Sequence, residues 1–122
     1  MDDNSSIDKK FQKELNAGIS ALVLLRVLEA AEQPMYGYQI AKIIASEQNE
    51  ASGFKQGVLY PVLRSLEEMG LLESNVEPSV SGPPRRYYQI TAIGRETLQR
   101  WVSIWNQSKA FVSTILEGRY HV

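Results

Sequence analysis

The sequence predicts a mainly α-helical fold with a small β-hairpin and a long C-terminal helix. Three observations carry this. Apolar residues recur at helical spacing in four separate stretches. Between the third and fourth stretches the pattern changes to two short strand-like runs, 71–77 and 85–91, joined by a tip rich in Pro, Ser and Gly. The last helical stretch, 92–117, would be about 39 Å long at 1.5 Å per residue, more than a small bundle can cover.

Each element has its own local reason. Residues 1–10 are polar and read as a mobile N-terminal segment. The first helix is expected over 11–31. Leu15, Ile19, Leu22, Val23, Leu25 and Leu28 could line one face of it, but Ala21, Leu24 and Val27 make it apolar nearly all round. Such a helix needs cover on every side, and a partner chain is one candidate for that cover. Gln33-Pro34 ends it. A second, short helix over 36–47 presents Ile40, Ile43 and Ile44, with Ala41 beside them. A polar, Gly-containing loop over 48–56 follows. The third helix, 56–69, carries Leu59, Leu63 and Leu66 as one core-facing stripe. Pro61 falls near its first turn, where a missing N–H costs little. Gly70 closes it, with Leu71 placed for the apolar contact of a Schellman cap. The hairpin must lie on these helices, since two strands alone are marginal. Thr91 is the cap of the final helix, whose stripe is Leu98, Trp101, Val102 and Trp105, then Val112, Ile115 and Leu116, with Gly118 as its stop.

Composition excludes several function classes. The 122 residues contain no Cys, which removes disulfide scaffolds, thiolate metal sites and Cys nucleophiles. The single His, His121, lies next to the C-terminus, a poor place for a catalytic triad or a metal site. The carboxylates show no paired spacing in an apolar setting, so neither an enzyme nor a metal or other cofactor is expected. The acidic start is unlike a secretory signal, and the longest apolar run, resuming after Arg26, is too short to span a bilayer. A soluble, cytoplasmic protein with no membrane partner is expected.

Helix, helix, helix, strand, strand, helix is the order of a winged helix-turn-helix, here over 11–91. The third helix would enter the major groove, and the hairpin, or wing, would lie along the backbone or minor groove. The surplus helix, 92–118, then reads as a dimerisation helix. The formal net charge of -1 argues against adhesion to polyanions by bulk charge. Local counts differ: 55–65 holds Lys55 and Arg64 without an acid, and 82–91 holds Arg85 and Arg86 without one. Glu67, Glu68, Glu73 and Glu77 stand elsewhere along the chain. Gln56, Gly57, Tyr60, Pro61 and Arg64 occupy the exposed side of the third helix, where Gln and Arg can read base edges and Gly permits close approach. The alternatives are solvated loop charges for Arg85 and Arg86 and a core-edge place for Tyr60.

Four stretches stand out: Ala21-Leu22-Val23-Leu24-Leu25, Tyr36-Gly37-Tyr38-Gln39-Ile40, residues 57–72 beginning Gly57-Val58-Leu59-Tyr60-Pro61, and residues 82–94 beginning Gly82-Pro83-Pro84-Arg85-Arg86. In these the sequence resembles the PadR family of bacterial transcriptional regulators. The single final helix looks like the short-tailed branch of that family. The resemblance implies a homodimeric repressor joined through its first and last helices and bound to double-stranded DNA at a roughly palindromic operator. It implies DNA-facing positions at Tyr38, Lys55, Gln56, Gly57, Tyr60, Pro61 and Arg64, and wing contacts at Gly82, Arg85 and Arg86. It also implies release by a planar aromatic or phenolic effector. Trp105 matches the family's ligand-stacking tryptophan, with Ile19, Val23, Trp101 and Phe111 around it. The alternative for both tryptophans is packing in a dimer core. A ligand sensor or a protein-binding winged helix that has lost DNA binding is the rival function.

Overall fold

The computed structural model describes residues 3–47 and 56–122. The chain runs α1 (Asp3–Ala30), β1 (Met35–Tyr36), α2 (Gly37–Glu47), α3 (Gln56–Glu68), β2 (Leu72–Glu77), β3 (Arg85–Ile90) and α4 (Ala92–Leu116). The mainly helical winged arrangement is as expected, with one addition. The hairpin is part of a three-stranded antiparallel sheet in the order β1-β3-β2. Met35 pairs with Tyr88 and Tyr36 with Tyr87, so Tyr36 belongs to a strand and the second helix starts one residue later. The first helix also differs: it starts at Asp3, not Phe11, and takes up residues 3–10 of the segment expected to be mobile, residues 1 and 2 lying outside the described residues. The polar loop expected over 48–56 lies outside the described residues, except for Gln56, which opens α3.

The core gathers one stripe from each helix. Leu24, Leu25 and Leu28 of α1 meet Ile40 and Ile44 of α2, Leu59, Leu63 and Leu66 of α3, Tyr88 and Ile90 of β3, and Leu98 of α4. The buried side of α1 continues toward its N-terminus as Asn16 and Ser20, so Leu15, expected on the buried face, is exposed. Ile43 is likewise exposed, because Ile40 and Ile44, one turn apart, already fill the inward side of α2. Of the α4 stripe, Leu98 is buried and Trp101 packs against the core, while Val102, Trp105, Val112, Ile115 and Leu116 are exposed.

The turns follow the expected chemistry. At the end of α3, Gly70 takes φ +79°, its N–H donates to the Glu67 carbonyl (2.9 Å), and the Leu71 N–H reaches back to the Leu66 carbonyl (2.9 Å). That pair of bonds is a Schellman motif, and Leu71 is buried beside it. Pro61 is further into α3 than its first turn, so the Gly57 carbonyl receives no N–H from it; both residues are exposed, where water can serve that carbonyl.

Thr91 joins three elements. Its side chain accepts from the Gly94 N–H (3.0 Å), capping α4, and its hydroxyl donates to the Gly70 carbonyl (2.7 Å). Its own N–H donates to the Leu71 carbonyl (3.1 Å). Thr91→Ala should cost about 1–2 kcal/mol and lower the thermal midpoint by roughly 5 °C, whereas Thr91→Ser, which keeps the capping hydroxyl, should retain most of the stability. An unchanged midpoint in thermal unfolding of Thr91→Ala would show that this cap is not needed.

Candidate nucleic-acid interface

Because Leu59, Leu63 and Leu66 turn α3 inward, its other side is set by helical geometry. Gly57, Tyr60, Pro61 and Arg64 are all exposed there. Gln56 is the first residue of α3, and Lys55 lies outside the described residues. Tyr60 leans on the start of α2. A Cβ built on Gly37 would overlap the Tyr60 hydroxyl and lie 2.6 Å from its Cε1. Only a residue without a side chain lets this ring pass, which gives Gly37 a role that sequence reading did not assign.

The wing meets α3 in one place. Tyr60, Arg64 and Glu67 of α3, with Arg86 and Tyr88 of β3, line a notch of about 350 Å³. Arg86 Nη1 donates to the Ser74 hydroxyl (2.9 Å), which donates to Glu67 Oε2 (2.5 Å). Glu67 therefore reaches Arg86 through Ser74. The count along the chain had set this acid apart from the positive surface, but Glu67 follows Arg64 by three residues and shares its side of the helix. Burial pushes the Tyr88 phenol above its ordinary pKa of 10.0, against the pull of Arg86. The neutral phenol therefore stabilises the fold below about pH 10, and this contribution is lost as pH rises through the raised value.

Arg85 and Arg86 do not act as a pair. Successive strand residues point to opposite faces, and β3 obeys this. Arg86 turns toward α3, whereas the Arg85 guanidinium stacks over the Tyr36 ring at 4.4 Å from its centroid. Tyr36 meets Tyr87 edge-on (5.4 Å) and Tyr38 face-on (6.4 Å between centroids). Tyr38 is exposed at the start of α2, and Lys42, one turn later, holds its Nζ 5.7 Å from the Tyr38 centroid. Gly82 takes φ +122° at the exposed wing tip, a conformation that favours glycine. Among the described residues the ion pairs are Arg26–Glu29 and Arg119–Glu117, so Lys42, Arg64, Arg85 and Arg86 make no direct ion pair there, although Glu67 lies in the notch and Glu77 is the cross-strand partner of Arg85.

The five residues expected around an effector are divided. Ile19 and Val23 are half-buried on α1, which packs against α4. Trp101 packs on the core of its own chain, while Trp105 and Phe111 are exposed further along α4.

No helix among the described residues is long and apolar enough to cross a membrane. Comparison with known proteins is consistent throughout. The model of the transcriptional regulator PadR-like family matches residues 24–100. A crystal structure of a PadR family transcriptional regulator from Eggerthella lenta superposes with a TM-score of 0.76 at 30% identity, covering 93% of this chain and 95% of that one. A transcriptional regulator from Clostridium thermocellum gives a TM-score of 0.73 at 26% identity, covering 83% and 96%. An uncharacterized protein from Lysinibacillus sphaericus is 30% identical over 96 residues, 79% of this chain and 86% of its own length. The matched span contains α2, α3, the wing and the first part of α4, the elements that build the exposed α3 side and the notch. The chain thus belongs to the PadR-like family of transcriptional regulators, DNA-binding proteins rather than enzymes.

Proposed function

We propose that two copies of this chain form a sequence-specific transcriptional repressor that binds a palindromic operator and is released by a planar aromatic or phenolic effector. The observation that supports it most is the shared notch. Arg64 and Tyr60 from the helix and Arg86 from the wing open to one side, with no described acid paired directly to either arginine. Arg64, Tyr60, Gly57 and Pro61 would face the major groove, and Arg85, Arg86 and Gly82 the backbone beside it.

Dimer formation is supported by what the single chain leaves open. Ile7, Phe11 and Leu15 form an exposed row on α1 at helical spacing, and Trp105, Val112 and Leu116 form another on α4. Pairing these rows would set two recognition helices about 34 Å apart, one turn of duplex. Trp105 would then lie at the joint with Ile19 and Val23 nearby, a flat apolar setting for an aromatic ring.

Selection of duplexes from a random pool by the full chain tests this reading. A palindromic consensus is expected, and failure to enrich any sequence would refute it. On the selected site, Arg64→Ala should lower preference over mismatched DNA by about tenfold or more. Arg85→Ala should weaken all duplexes alike and flatten the salt dependence. Repeating the selection with aromatic acids or planar dyes present should abolish enrichment for an effector.

A further inference from the structure

The two arginines of β3 belong to two different cationic groups. Arg86 faces α3 and the notch. Arg85 instead begins a row that crosses the sheet onto α2: its guanidinium lies over Tyr36, Tyr36 stacks on Tyr38 with 20° between ring planes, and Lys42 lies over Tyr38. Tyr87 braces Tyr36 from the side. Arg85, Tyr38 and Lys42 are exposed, and Tyr36 is half-buried between them.

An aromatic face holds a cation in place without neutralising it. A carboxylate in contact would fix the same side chain but cancel its charge; among the described residues neither Arg85 nor Lys42 makes such an ion pair, and the Arg85 guanidinium lies over Tyr36 although Glu77 is its cross-strand partner. The row therefore orders two long, flexible side chains while leaving both charges available. Two held cations on one edge, joined through β3 to a second cationic group, suit an anion with charges repeated along its length. The backbone of a duplex has that property, with a phosphate every 3.4 Å or so along each strand.

We propose that this row is a second phosphate-binding edge, in which Lys42 contacts the DNA backbone directly and Tyr36 is a positioning residue that holds Arg85 for the same task. The proposal rests on the DNA-binding reading above. It adds a contact on α2, outside both the recognition helix and the wing, and gives Tyr36 a part that does not involve touching DNA.

The test is a salt titration of binding to a duplex selected by the full chain. Each phosphate contact contributes about 0.9 to the slope of log K against log salt concentration, or roughly a threefold change in affinity between 50 and 200 mM salt. Lys42→Gln should reduce the slope by about that amount per protomer, with sequence preference unchanged. Tyr36→Leu should reduce it as much as Arg85→Ala does, Tyr36→Phe should keep the full slope, and Tyr36→Leu added to Arg85→Ala should reduce it no further. A slope unchanged by Lys42→Gln, with Arg85→Ala still lowering it, would overturn the α2 contact alone. Additive losses in the double variant, or an equal loss in Tyr36→Phe, would overturn the positioning role. Lys42→Gln alters one exposed side chain and carries the test even where Tyr36→Leu fails to fold. A full chain that selects no duplex would overturn the DNA-binding reading itself.

Discussion

Gly94→Ala should lower the thermal midpoint by about 12 °C, the largest loss expected from adding a single methyl group to this fold. Gly94 is buried in the first turn of α4, against the root of the wing. A Cβ there would overlap the Leu71 carbonyl oxygen and lie 2.7 Å from Ile90 Cγ1 and 3.1 Å from the Leu71 carbonyl carbon. Ile90 is buried, and the Leu71 carbonyl is held by the Thr91 N–H (3.1 Å). Moving that carbonyl would disturb the junction of α3, the sheet and α4 together. Overpacking a tight site costs about 1–3 kcal/mol, and a clash with fixed backbone belongs at the upper end. A cost of about 3 kcal/mol corresponds to roughly 12 °C for a chain of this size. Gly57→Ala is the control. It is the same change in a helix where nothing lies within 4 Å of the new methyl, and it should raise the midpoint slightly. Equal midpoints for Gly94→Ala and the unchanged protein would mean that α4 can slide away from the wing without cost.

This junction was legible in the sequence because its signals are local. Gly70 after a leucine stripe, Leu71 behind it and Thr91 before a second stripe each have one conformational consequence. The core stripe of α3 was legible for the same reason: Leu59, Leu63 and Leu66 repeat at helical spacing with Arg64 and Ser65 between them. The strand β1 was not. Two residues cannot show a period, and Met35 and Tyr36 are extended only because Tyr88 and Tyr87 pair with them across some fifty residues of chain. The early start of α1 was hidden because the apolar residues of its first turns, Ile7, Phe11 and Leu15, are exposed in the single chain and sit among polar neighbours, although they do repeat every four residues.

The candidate site divides in the same way. Tyr60 and Arg64 followed from helix geometry alone, once the buried stripe was known. Treating Arg85 and Arg86 as one positive cluster ignored the two-residue period of the strand that contains them, and setting Glu67 apart ignored the three-residue spacing from Arg64. Both errors came from counting charge along the chain where only its distribution over faces matters. Lys42 carried a weak signal, one helical turn after an exposed Tyr38, but its link to the wing runs through Tyr36 and depends on the sheet.

Gly37→Ala is expected to leave the fold nearly intact while lowering operator affinity about a hundredfold. Gly37 opens α2 directly behind β1, and the ring of Tyr60 crosses the space where a side chain would stand, with Cε1 2.6 Å and Cζ 2.7 Å from the added Cβ. Here, unlike at Gly94, the obstructing group is a side chain and is 45% exposed, so it can swing away with little loss of buried contact. The midpoint should therefore fall by only a few degrees. The displaced ring, however, carries the Tyr60 hydroxyl away from the notch shared with Arg64 and Arg86. A hydrogen bond to a charged phosphate is worth about 1.5 kcal/mol or more, roughly tenfold in affinity, and a dimer would lose it twice. A double-variant cycle separates this from a general weakening. In a Tyr60→Ala background no ring remains to be displaced, so adding Gly37→Ala should cost nothing further in binding. If Gly37→Ala costs the same in both backgrounds, its effect does not pass through Tyr60, and the close approach of α2 to the recognition helix has some other purpose.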